Sequence, residues 1–381
     1  MIATRKLVAA IKVLMSIVLS PFLWFLYFIS TFIPRNEKTI VFGTHLKMPS
    51  GNIYAFFKHC CESDKMSNYN KIWIAKNKNE LLFLKSKNLP VEYKYSINGV
   101  FNCLKSRYYC YSSYPSDISF SLSGCAKMIN LWHGTPLKKI ERDIEVGTYS
   151  IRYKYDYLFK LIQPWAFIRP DKLIASSEYE IDCFKTAFDV KETCFVKTFP
   201  PRLLDLVNEP HKQGITRQIL YAPTFRDSGK SISTFLEWDK LNKFCLDNKI
   251  VFLIKTHPSD NTLRNEFNYS NIKIIDNHKN IYDLLSDVDL IVTDYSSIFF
   301  DAIYLKENFI FYWPDFDDYQ CECRGFYCDP SKVFFSQSAL NFNELLKLIV
   351  TKNDKKIFGV NKYMAFPIDN DYPVNFFLEN V

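Results

Sequence analysis

The sequence predicts an α/β fold with two Rossmann-like domains in tandem, preceded by an amphiphilic, membrane-associated N-terminal segment. Short apolar runs alternate with helix-length amphipathic stretches in two series, and a polar, proline-containing stretch around 199–216 separates the series. Continuous apolar runs of this kind are typical of parallel strands that are buried on both faces. The 381 residues, of which 48% are hydrophobic and 23% charged, are enough for two domains with sizeable cores.

The N-terminal segment is apolar and has basic residues on both sides. Residues 13–33 contain no charged side chain, and about 20 apolar residues are enough to span a bilayer. Pro21 is expected to break this run into two short pieces, the second rich in aromatic residues that prefer a membrane interface. We therefore expect residues 1–38 to form a retained monotopic hairpin or interfacial helix pair on the cytoplasmic face of the cell membrane. A spanning helix is the alternative.

The body of the chain supplies the predicted strands. The first series of apolar runs covers residues 39–43, 71–75, 107–112, 127–133 and 171–176. The second series covers residues 218–224, 250–257, 272–276, 289–294 and 309–313. These series place one α/β domain at 39–210 and a second at 211–381. In open parallel sheets the ligand lies at the carboxyl ends of the strands, so the cleft between the two domains is the expected site.

Composition excludes several classes of protein. The 10 glycines are scattered singly, so the chain has no glycine-rich dinucleotide fingerprint, and Gly229-Lys230-Ser231 has Thr224 where a P-loop needs glycine. The formal charge is +7, and residues 1–40 hold five basic residues and one acid, which leaves the body nearly balanced. This distribution favours an anionic membrane surface over nucleic acid as a partner.

The cysteine and aspartate patterns do not indicate a metal site. The chain has 11 cysteines, too few for a disulfide scaffold of this length, and reduced thiols are expected. The spacing of Cys321, Cys323 and Cys328 matches no standard zinc pattern. The Asp-x-Asp strings at 287–289 and 315–317 arise easily by chance. We expect no obligatory ion or cofactor.

Two histidines follow predicted strands, one in each series. The strand before His133 is expected to end at Trp132, which puts the imidazole at the carboxyl edge of a sheet, where it can take a proton from an attacking hydroxyl. His257 follows another strand in the same way and can bind a diphosphate. Taken singly, a histidine in such a position is more often an ordinary surface residue. As a pair, they indicate one cleft.

Hydroxyl and arginine side chains supply candidate anion ligands. Thr293, Ser296 and Ser297 stand at a turn from a strand into a helix, where free N–H groups bind anions without glycine. The alternative is that one serine merely caps the helix. Asp301 in the same helix can be a favourable helix-dipole charge. Two arginines that follow strands or turns, Arg226 and Arg324, are candidates for clamping phosphate oxygens, or else plain surface residues.

Together these motifs resemble the CDP-glycerol glycerophosphotransferase family, which builds teichoic acids and related capsular polymers. The similar strings, in order within residues 128–327, are LWHGTPLKKI, YAPTFRD, KTHP, DLLSDVDLIVTDYSSIFFDAIYLKENFIFY and RGFY. The resemblance implies a glycosyltransferase-B fold and a membrane-peripheral cytoplasmic enzyme. It also implies transfer of a polyol phosphate from CDP-glycerol or CDP-ribitol to a lipid-linked polymer acceptor, with release of CMP.

The resemblance also assigns roles to residues. It makes His133 the base that activates the acceptor hydroxyl and His257 a ligand of the donor diphosphate. It places the remaining candidates in the donor site: Thr135, Arg226, Thr293, Ser296, Ser297 and Arg324. One departure lies at 197–202, where Thr198 and Phe199 stand near an expected glycine. The alternatives are a glycosyltransferase-B enzyme with a nucleotide-sugar donor and a non-catalytic, membrane-bound polymer assembly factor.

Overall fold

The structure, a computed structural model of the chain, describes most of its residues. They are 2–147, 149–207, 216–224, 226, 231–256, 269–276, 279–322, 325–328, 338–351, 361–368 and 377. For residues 2–14, 320–322 and 361, the description covers the backbone only. Two parallel sheets organise these residues, as the sequence predicts.

The first sheet has seven parallel strands in the order β3-β2-β1-β4-β5-β6-β7. The strands are Asn36–Gly43 (β1), Asn70–Ala75 (β2), Val91–Tyr93 (β3), Ser106–Tyr111 (β4), Lys127–Asn130 (β5), Lys172–Ala175 (β6) and Phe195–Lys197 (β7). The order reverses direction next to β1, so the loops after β1 and β4 diverge and leave a crevice at the carboxyl ends of the strands. We call this sheet with its helices the first unit.

The second sheet repeats the arrangement with six parallel strands in the order β10-β9-β8-β11-β12-β13. They are Arg217–Ala222 (β8), Ile250–Ile254 (β9), Ile272–Ile274 (β10), Leu290–Thr293 (β11), Phe309–Tyr312 (β12) and Ser338–Ala339 (β13). This sheet and its helices form the second unit. The domain limits at 38/39 and 210/211 stay a prediction.

Helices lie between most strands. The described helices are Ile2–Ser30 (α1), Gly51–Glu62 (α2), Lys78–Ser86 (α3), Ile97–Lys105 (α4), Ser150–Lys154 (α5), Asp156–Ile162 (α6), Glu178–Phe188 (α7), Leu204–Val207 (α8), Trp238–Asp247 (α9), Tyr282–Leu285 (α10), Ile298–Leu305 (α11), Phe316–Glu322 (α12) and Phe342–Val350 (α13). Side chains of Asn77, Ser96, Ser177 and Asn341 accept the hydrogen bonds that cap α3, α4, α7 and α13.

All ten predicted strands are present. The strand before His133 is shorter than predicted, because it ends at Asn130 rather than at Trp132. Three further strands were not predicted: β3 and β7 with three residues each and β13 with two. Strands this short leave too few residues for a hydrophobic period to be recognised.

One hydrophobic cluster joins the two units. It contains Trp132 and Tyr179 of the first unit together with Phe299 and Phe311 of the second. Two other clusters lie within single units, around Phe42 and around Phe252. A late residue, Phe377, is fully buried in the first unit, with its ring 5.9 Å from that of Phe56 and 5.3 Å from that of Tyr108.

The predicted break at Pro21 is wrong. Helix α1 runs continuously from Ile2 to Ser30 with Pro21 inside it. Proline removes the N–H that would bond to the carbonyl of residue 17, four positions earlier. The hydroxyl of the preceding Ser20 donates to this carbonyl of Ile17 at 3.1 Å and thereby replaces the lost hydrogen bond. Consequently, the segment is one helix rather than a hairpin or a helix pair.

The end of α1 is fixed to the first unit. The ring of Tyr27 stacks on that of Phe120 at 4.8 Å, and Trp24 Nε1 donates to the carbonyl of Leu161 at 3.0 Å. Just beyond the helix, the partly buried guanidinium of Arg35 donates to several backbone carbonyls, including that of Cys103 at 2.8 Å. None of the helices in the described part of the chain is long and apolar enough to cross a membrane.

Candidate active site

A strained turn at the end of β5 presents His133. Trp132 has a φ of 43°, which is costly for a bulky residue and persists only where its surroundings impose it. Asn130 Oδ1 accepts a hydrogen bond from the Trp132 N–H at 2.8 Å, and Asn52 Nδ2 donates to the carbonyl of Leu131 at 3.0 Å. These bonds fix the turn. The His133 side chain is exposed, with its ring 4.2 Å from that of Trp132.

The loop after His133 contacts the second unit. A Cβ atom placed on Gly134 would lie 3.5 Å from Ser297 Oγ, so this glycine lies beside the Ser297 side chain. Further along, the Lys139 N–H donates to the carbonyl of Gly325 at 2.9 Å. The structure thus brings the predicted base of the first unit together with predicted donor ligands of the second.

A cavity of about 480 Å³ occupies this cleft. Its lining comes from segments that follow the carboxyl ends of strands in both sheets, where ligands of open parallel sheets bind. The lining segments are 132–138 with Ile140, 222–224, 255–256, 279–281 and 295–297. Four of the predicted site residues therefore line the cavity: His133, Thr135, Ser296 and Ser297.

The cavity has a basic lining. Lys138, Lys255 and Lys279 line it, and its described lining residues include no aspartate or glutamate. Burial lowers the pKa of the Lys255 ammonium. A low-dielectric cleft with one sign of charge concentrates ligands of the opposite sign. This cavity is consequently suited to an anion.

Ser296 and Ser297 stand where β11 passes into α11. Ser296 is half-buried and Ser297 is exposed. Neither serine is a strong cap, because Ser296 Oγ accepts the Ile298 N–H at a long 3.4 Å and the side chain of Ser297 makes no capping bond. The first N–H groups of an α-helix have no partner within the helix. Both serines are thus placed for an anion at the start of α11.

Thr224, which follows β8, carries an unusual hydroxyl. Its Oγ1 is buried and lacks a hydrogen-bond partner among the described residues, and the residue lines the cavity. Leaving a buried hydroxyl unsatisfied costs about 1–3 kcal/mol. A ligand in the cavity that bonds to this hydroxyl would recover that cost.

Two predicted donor ligands have buried hydroxyls that bond within the protein. Thr135 lines the cavity, but its hydroxyl donates to Glu180 Oε1 at 2.5 Å and lies 3.1 Å from the hydroxyl of Tyr304. Thr293 is fully buried outside the lining, and its hydroxyl donates to the carbonyl of Ala222 at 2.9 Å. Their part in donor binding stays a prediction.

Arg226 lies behind the cavity rather than in its lining. Its Nε donates to Asp315 and its Nη1 to Asp294, both at 2.8 Å, and the side chain is 3% exposed. The two carboxylates raise the pKa of this guanidinium, against the effect of its burial. The planar group also lies 4.9 Å from the rings of Tyr295 and Tyr319. The predicted phosphate contact of Arg226 stays a prediction, while its observed partners are carboxylates.

The other two predicted ligands, His257 and Arg324, lie outside the described residues. Each has described neighbours at the site, since Thr256 lines the cavity and Gly325 bonds to Lys139. Within the described part of the chain, no group of three histidine, cysteine, aspartate or glutamate side chains is arranged to hold a metal ion. Of the Asp-x-Asp residues, Asp315 pairs with Arg226, and Asp289 accepts the Gln218 N–H at 2.7 Å.

Sequence reasoning missed several residues of the site. Lys255 and Thr224 belong to the strings KTHP and YAPTFRD, in which the histidine and the arginine are the more specific signals. Lys279 comes shortly after β10 but belongs to no motif. His45 follows β1, and its ring lies 5.4 Å from that of His133. The rule that found His133, a histidine just after a strand, could have found His45 as well.

Comparison with known proteins identifies the family. The model of the family described as CDP-glycerol:poly(glycerophosphate) glycerophosphotransferase matches residues 25–368. A teichoic acid poly(glycerol phosphate) polymerase of Bacillus spizizenii is 31% identical over 330 residues, which cover 79% of this chain and 80% of that protein. A teichoic acid glycerol-phosphate transferase of Staphylococcus aureus is 29% identical over 337 residues, with 80% and 82% covered.

Solved structures show the same fold. The wall teichoic acid polymerase TagF with CDPG has a TM-score of 0.73 at 22% identity, and the match covers 91% of this chain and 88% of that one. A UDP-GlcNAc 2-epimerase of Methanocaldococcus jannaschii has a TM-score of 0.52 at 13% identity, with 90% and 99% covered. The resemblance found in the motifs is confirmed, and the chain belongs to the CDP-glycerol:poly(glycerophosphate) glycerophosphotransferase family.

Proposed function

We propose that the enzyme transfers glycerol phosphate or ribitol phosphate from the corresponding CDP-polyol to a hydroxyl of a lipid-linked polymer acceptor and releases CMP. The single observation that carries this proposal is the shared cavity. His133 of the first unit and Ser296 and Ser297 of the second line the same 480 Å³ space. Phosphoryl transfer needs a proton acceptor beside an anion site, and positioning with electrostatic stabilisation does most of the work.

The donor diphosphate is assigned to the second unit. The start of α11 offers N–H groups with Ser296 and Ser297, and Lys255 and Lys279 of the second unit add positive charge to the cavity lining. Charge-assisted hydrogen bonds of this kind are about twice as strong as neutral ones. The buried hydroxyl of Thr224 gains a partner when the donor enters. His257 and Arg324 remain proposed ligands.

The acceptor is assigned to the side of the first unit, where His133 stands. As the acceptor hydroxyl attacks the phosphorus that bears the polyol, its proton passes to the His133 imidazole and the new oxygen–phosphorus bond forms. The bond between this phosphorus and the bridging oxygen of the diphosphate breaks, and CMP leaves with the electron pair. Lys138, Lys255 and Lys279 stabilise the negative charge that develops on the leaving phosphate. The step needs no covalent enzyme intermediate.

We place the enzyme at the membrane surface through an apolar face on the first unit. Phe25 and Phe28 of α1 are 58% and 60% exposed, and Tyr157 and Leu161 of the adjacent α6 are 70% and 59% exposed. Large exposed apolar patches mark interaction sites on soluble domains. Because Trp24 bonds to Leu161, both helices belong to one surface. Lipid-linked acceptors would meet the enzyme there.

The test is product analysis with purified enzyme. CDP-glycerol and CDP-ribitol are supplied separately with a lipid-linked acceptor, and product masses are recorded. We expect the acceptor to gain one or more polyol phosphate units and CMP to appear in equal amount. Gain of a sugar residue with a nucleoside diphosphate from a nucleotide-sugar panel would instead show a glycosyltransferase. Acceptor binding without release of any nucleotide would show an assembly factor.

A further inference from the structure

We propose that His45 is a positioning residue that acts through His133. His45 receives the proton that His133 takes from the acceptor, and it thereby keeps His133 ready for the next transfer. The inference rests on the proposed function, because it concerns the same proton. His45 follows β1, next to β4 in the first sheet. The ring centroids of His45 and His133 lie 5.4 Å apart. On its other side, His133 packs on Trp132.

A buried carboxylate and two serines hold the His45 ring. Its Nδ1 lies 3.0 Å from Ser112 Oγ and 2.9 Å from Ser113 Oγ. Ser112 Oγ in turn donates to Asp117 Oδ2 at 2.9 Å, and the N–H groups of both serines donate to the same oxygen. Asp117 is 4% exposed. An oxygen that accepts three hydrogen bonds carries no proton, so the Ser112 hydroxyl is the donor and Asp117 Oδ2 is the acceptor.

The hydrogen bonds of the two serines define what the relay requires of His45. Because the Ser112 hydroxyl gives its proton to Asp117, its oxygen can accept from Nδ1, and the Ser113 hydroxyl at 2.9 Å can either donate or accept. In the proposed relay Nδ1 carries the proton and Nε2 keeps its lone pair. An imidazole oriented by a carboxylate through its first nitrogen is the usual arrangement of a proton acceptor that works through its second.

Burial is the main influence that favours the neutral form of His45. Burial of part of the ring lowers the pKa of His45, although Asp117 raises it, and Lys76 adds to the lowering. A neutral His45 can accept a proton, whereas a protonated one would repel a protonated His133. The relay is balanced: the proton leaves the acceptor oxygen for His133, passes from His133 to His45 Nε2, and is released to water. No other reactant is needed.

The test combines turnover, donor affinity and chemical rescue. A group that transfers protons contributes about 10²–10⁴-fold to a rate, and His133 stays in place, so we expect His45→Ala to lower kcat about 10- to 100-fold. The Kd for CDP-glycerol should stay within twofold, since His45 is not among the described residues that line the cavity. Added imidazole should restore kcat. Ser112→Ala, which removes the acceptor for Nδ1–H, should lower kcat in the same direction.

The matched control is His59→Ala. His59 lies in α2, where its Nε2 is 3.5 Å from Asp205, away from the cavity, so kcat should be unchanged and insensitive to imidazole. Wild-type kcat in a folded His45→Ala enzyme, or a loss that imidazole leaves uncorrected, overturns the role of His45 alone. A wild-type enzyme that releases no CMP from either CDP-polyol overturns the proposed function itself, and the relay with it.

Discussion

Arg202 and Asp301 form a buried ion pair between the two units. Arg202 Nε lies 3.4 Å from Asp301 Oδ2, a second guanidinium nitrogen donates to Oδ1, and the side chains are 2% and 5% exposed. Arg202 also donates to Asn52 Oδ1 at 3.0 Å. The amide of Asn52 bonds to the turn that presents His133. The pair therefore links the position of α11 to that of the proposed base.

Removing one partner of this pair should destabilise the protein strongly. Asp301→Ala leaves a buried, unpaired guanidinium, and such losses cost about 3–5 kcal/mol of the free energy of unfolding. Urea unfolding followed by tryptophan fluorescence measures this. The control is Glu192→Ala, which breaks the exposed pair with Lys185 at 2.8 Å and should cost far less stability, because water and salt screen exposed ion pairs. Equal losses for the two variants would contradict the role of the buried pair.

Replacing both partners should separate stability from activity. Arg202→Met combined with Asp301→Leu removes both charges together, and such replacements are often neutral or stabilising. We expect this double variant to be more stable than Asp301→Ala. Its turnover should remain low, however, because Asn52 loses its contact with Arg202 and the His133 turn loses a support. Full turnover in the double variant would show that the turn needs no such anchor.

His133→Ala should abolish transfer and spare donor binding. Loss of a general base costs about 10²–10⁴-fold in rate, and His133 belongs to the unit that does not hold the donor. Calorimetry with CDP-glycerol should therefore give a Kd within a few-fold of the wild-type value. Turnover at the wild-type rate in this variant, with the fold intact by circular dichroism, would remove His133 from the mechanism.

Thr224→Val should change stability and donor affinity in opposite directions. Valine has nearly the same shape without the buried, unpartnered hydroxyl, so the free protein should gain about 1 kcal/mol of stability. The variant should lose up to about 1.5 kcal/mol of CDP-polyol binding, the usual contribution of one hydrogen bond. Thermal melts with and without donor measure both effects. Weaker stability with unchanged donor affinity would show that the hydroxyl has a partner within the protein.

Donor binding should also weaken when a charged or hydroxyl contact of the second unit is lost. We expect Ser296→Ala, His257→Ala and Arg324→Ala each to lower CDP-polyol affinity or turnover. Bonds to a charged diphosphate contribute about 1.5–3 kcal/mol each. Calorimetry and turnover are measured together. If all three variants keep wild-type values for both, the donor does not bind at the start of α11.

Two substitutions on α1 should separate membrane binding from folding. Phe25→Glu places a charge on the exposed face and should release the protein from anionic vesicles in a flotation assay, without lowering its melting temperature. Tyr27→Ala removes the ring that stacks on Phe120 at 4.8 Å. It should destabilise the first unit and leave vesicle binding of the folded protein unchanged. Persistent flotation of Phe25→Glu would place the membrane contact elsewhere.

Ten of the thirteen described strands could be predicted, because each of the ten is encoded by its own apolar run. The ion pairs of Arg226 and Asp301 could not, because the partners lie far away in sequence. Arg226 pairs with Asp294 and Asp315, 68 and 89 positions later, and its contact with phosphate stays a prediction. Asp301 was interpreted as a helix-dipole charge, yet it pairs with Arg202, 99 positions earlier. The residue types at strand ends predict where the site lies. Which charged side chains line the site depends on how the two units pack together.

The continuity of α1 could not be predicted from the sequence either, because it depends on the single hydroxyl of Ser20. Proline predicts a break in a helix interior, and this prediction fails where a neighbouring side chain supplies the missing donor. Ser20 does so for the carbonyl of Ile17. Serine is known to bond to the carbonyls of its own helix. This tendency alone does not predict whether a helix breaks at a proline or continues through it.

The burial of Phe377 among Phe56, Tyr69 and Tyr108 affects how the protein is made. A ribosome releases the whole second sheet before Phe377 emerges, so the first unit has to wait for its last core residue while the second unit is already complete. The polypeptide also passes from the first unit to the second and back again.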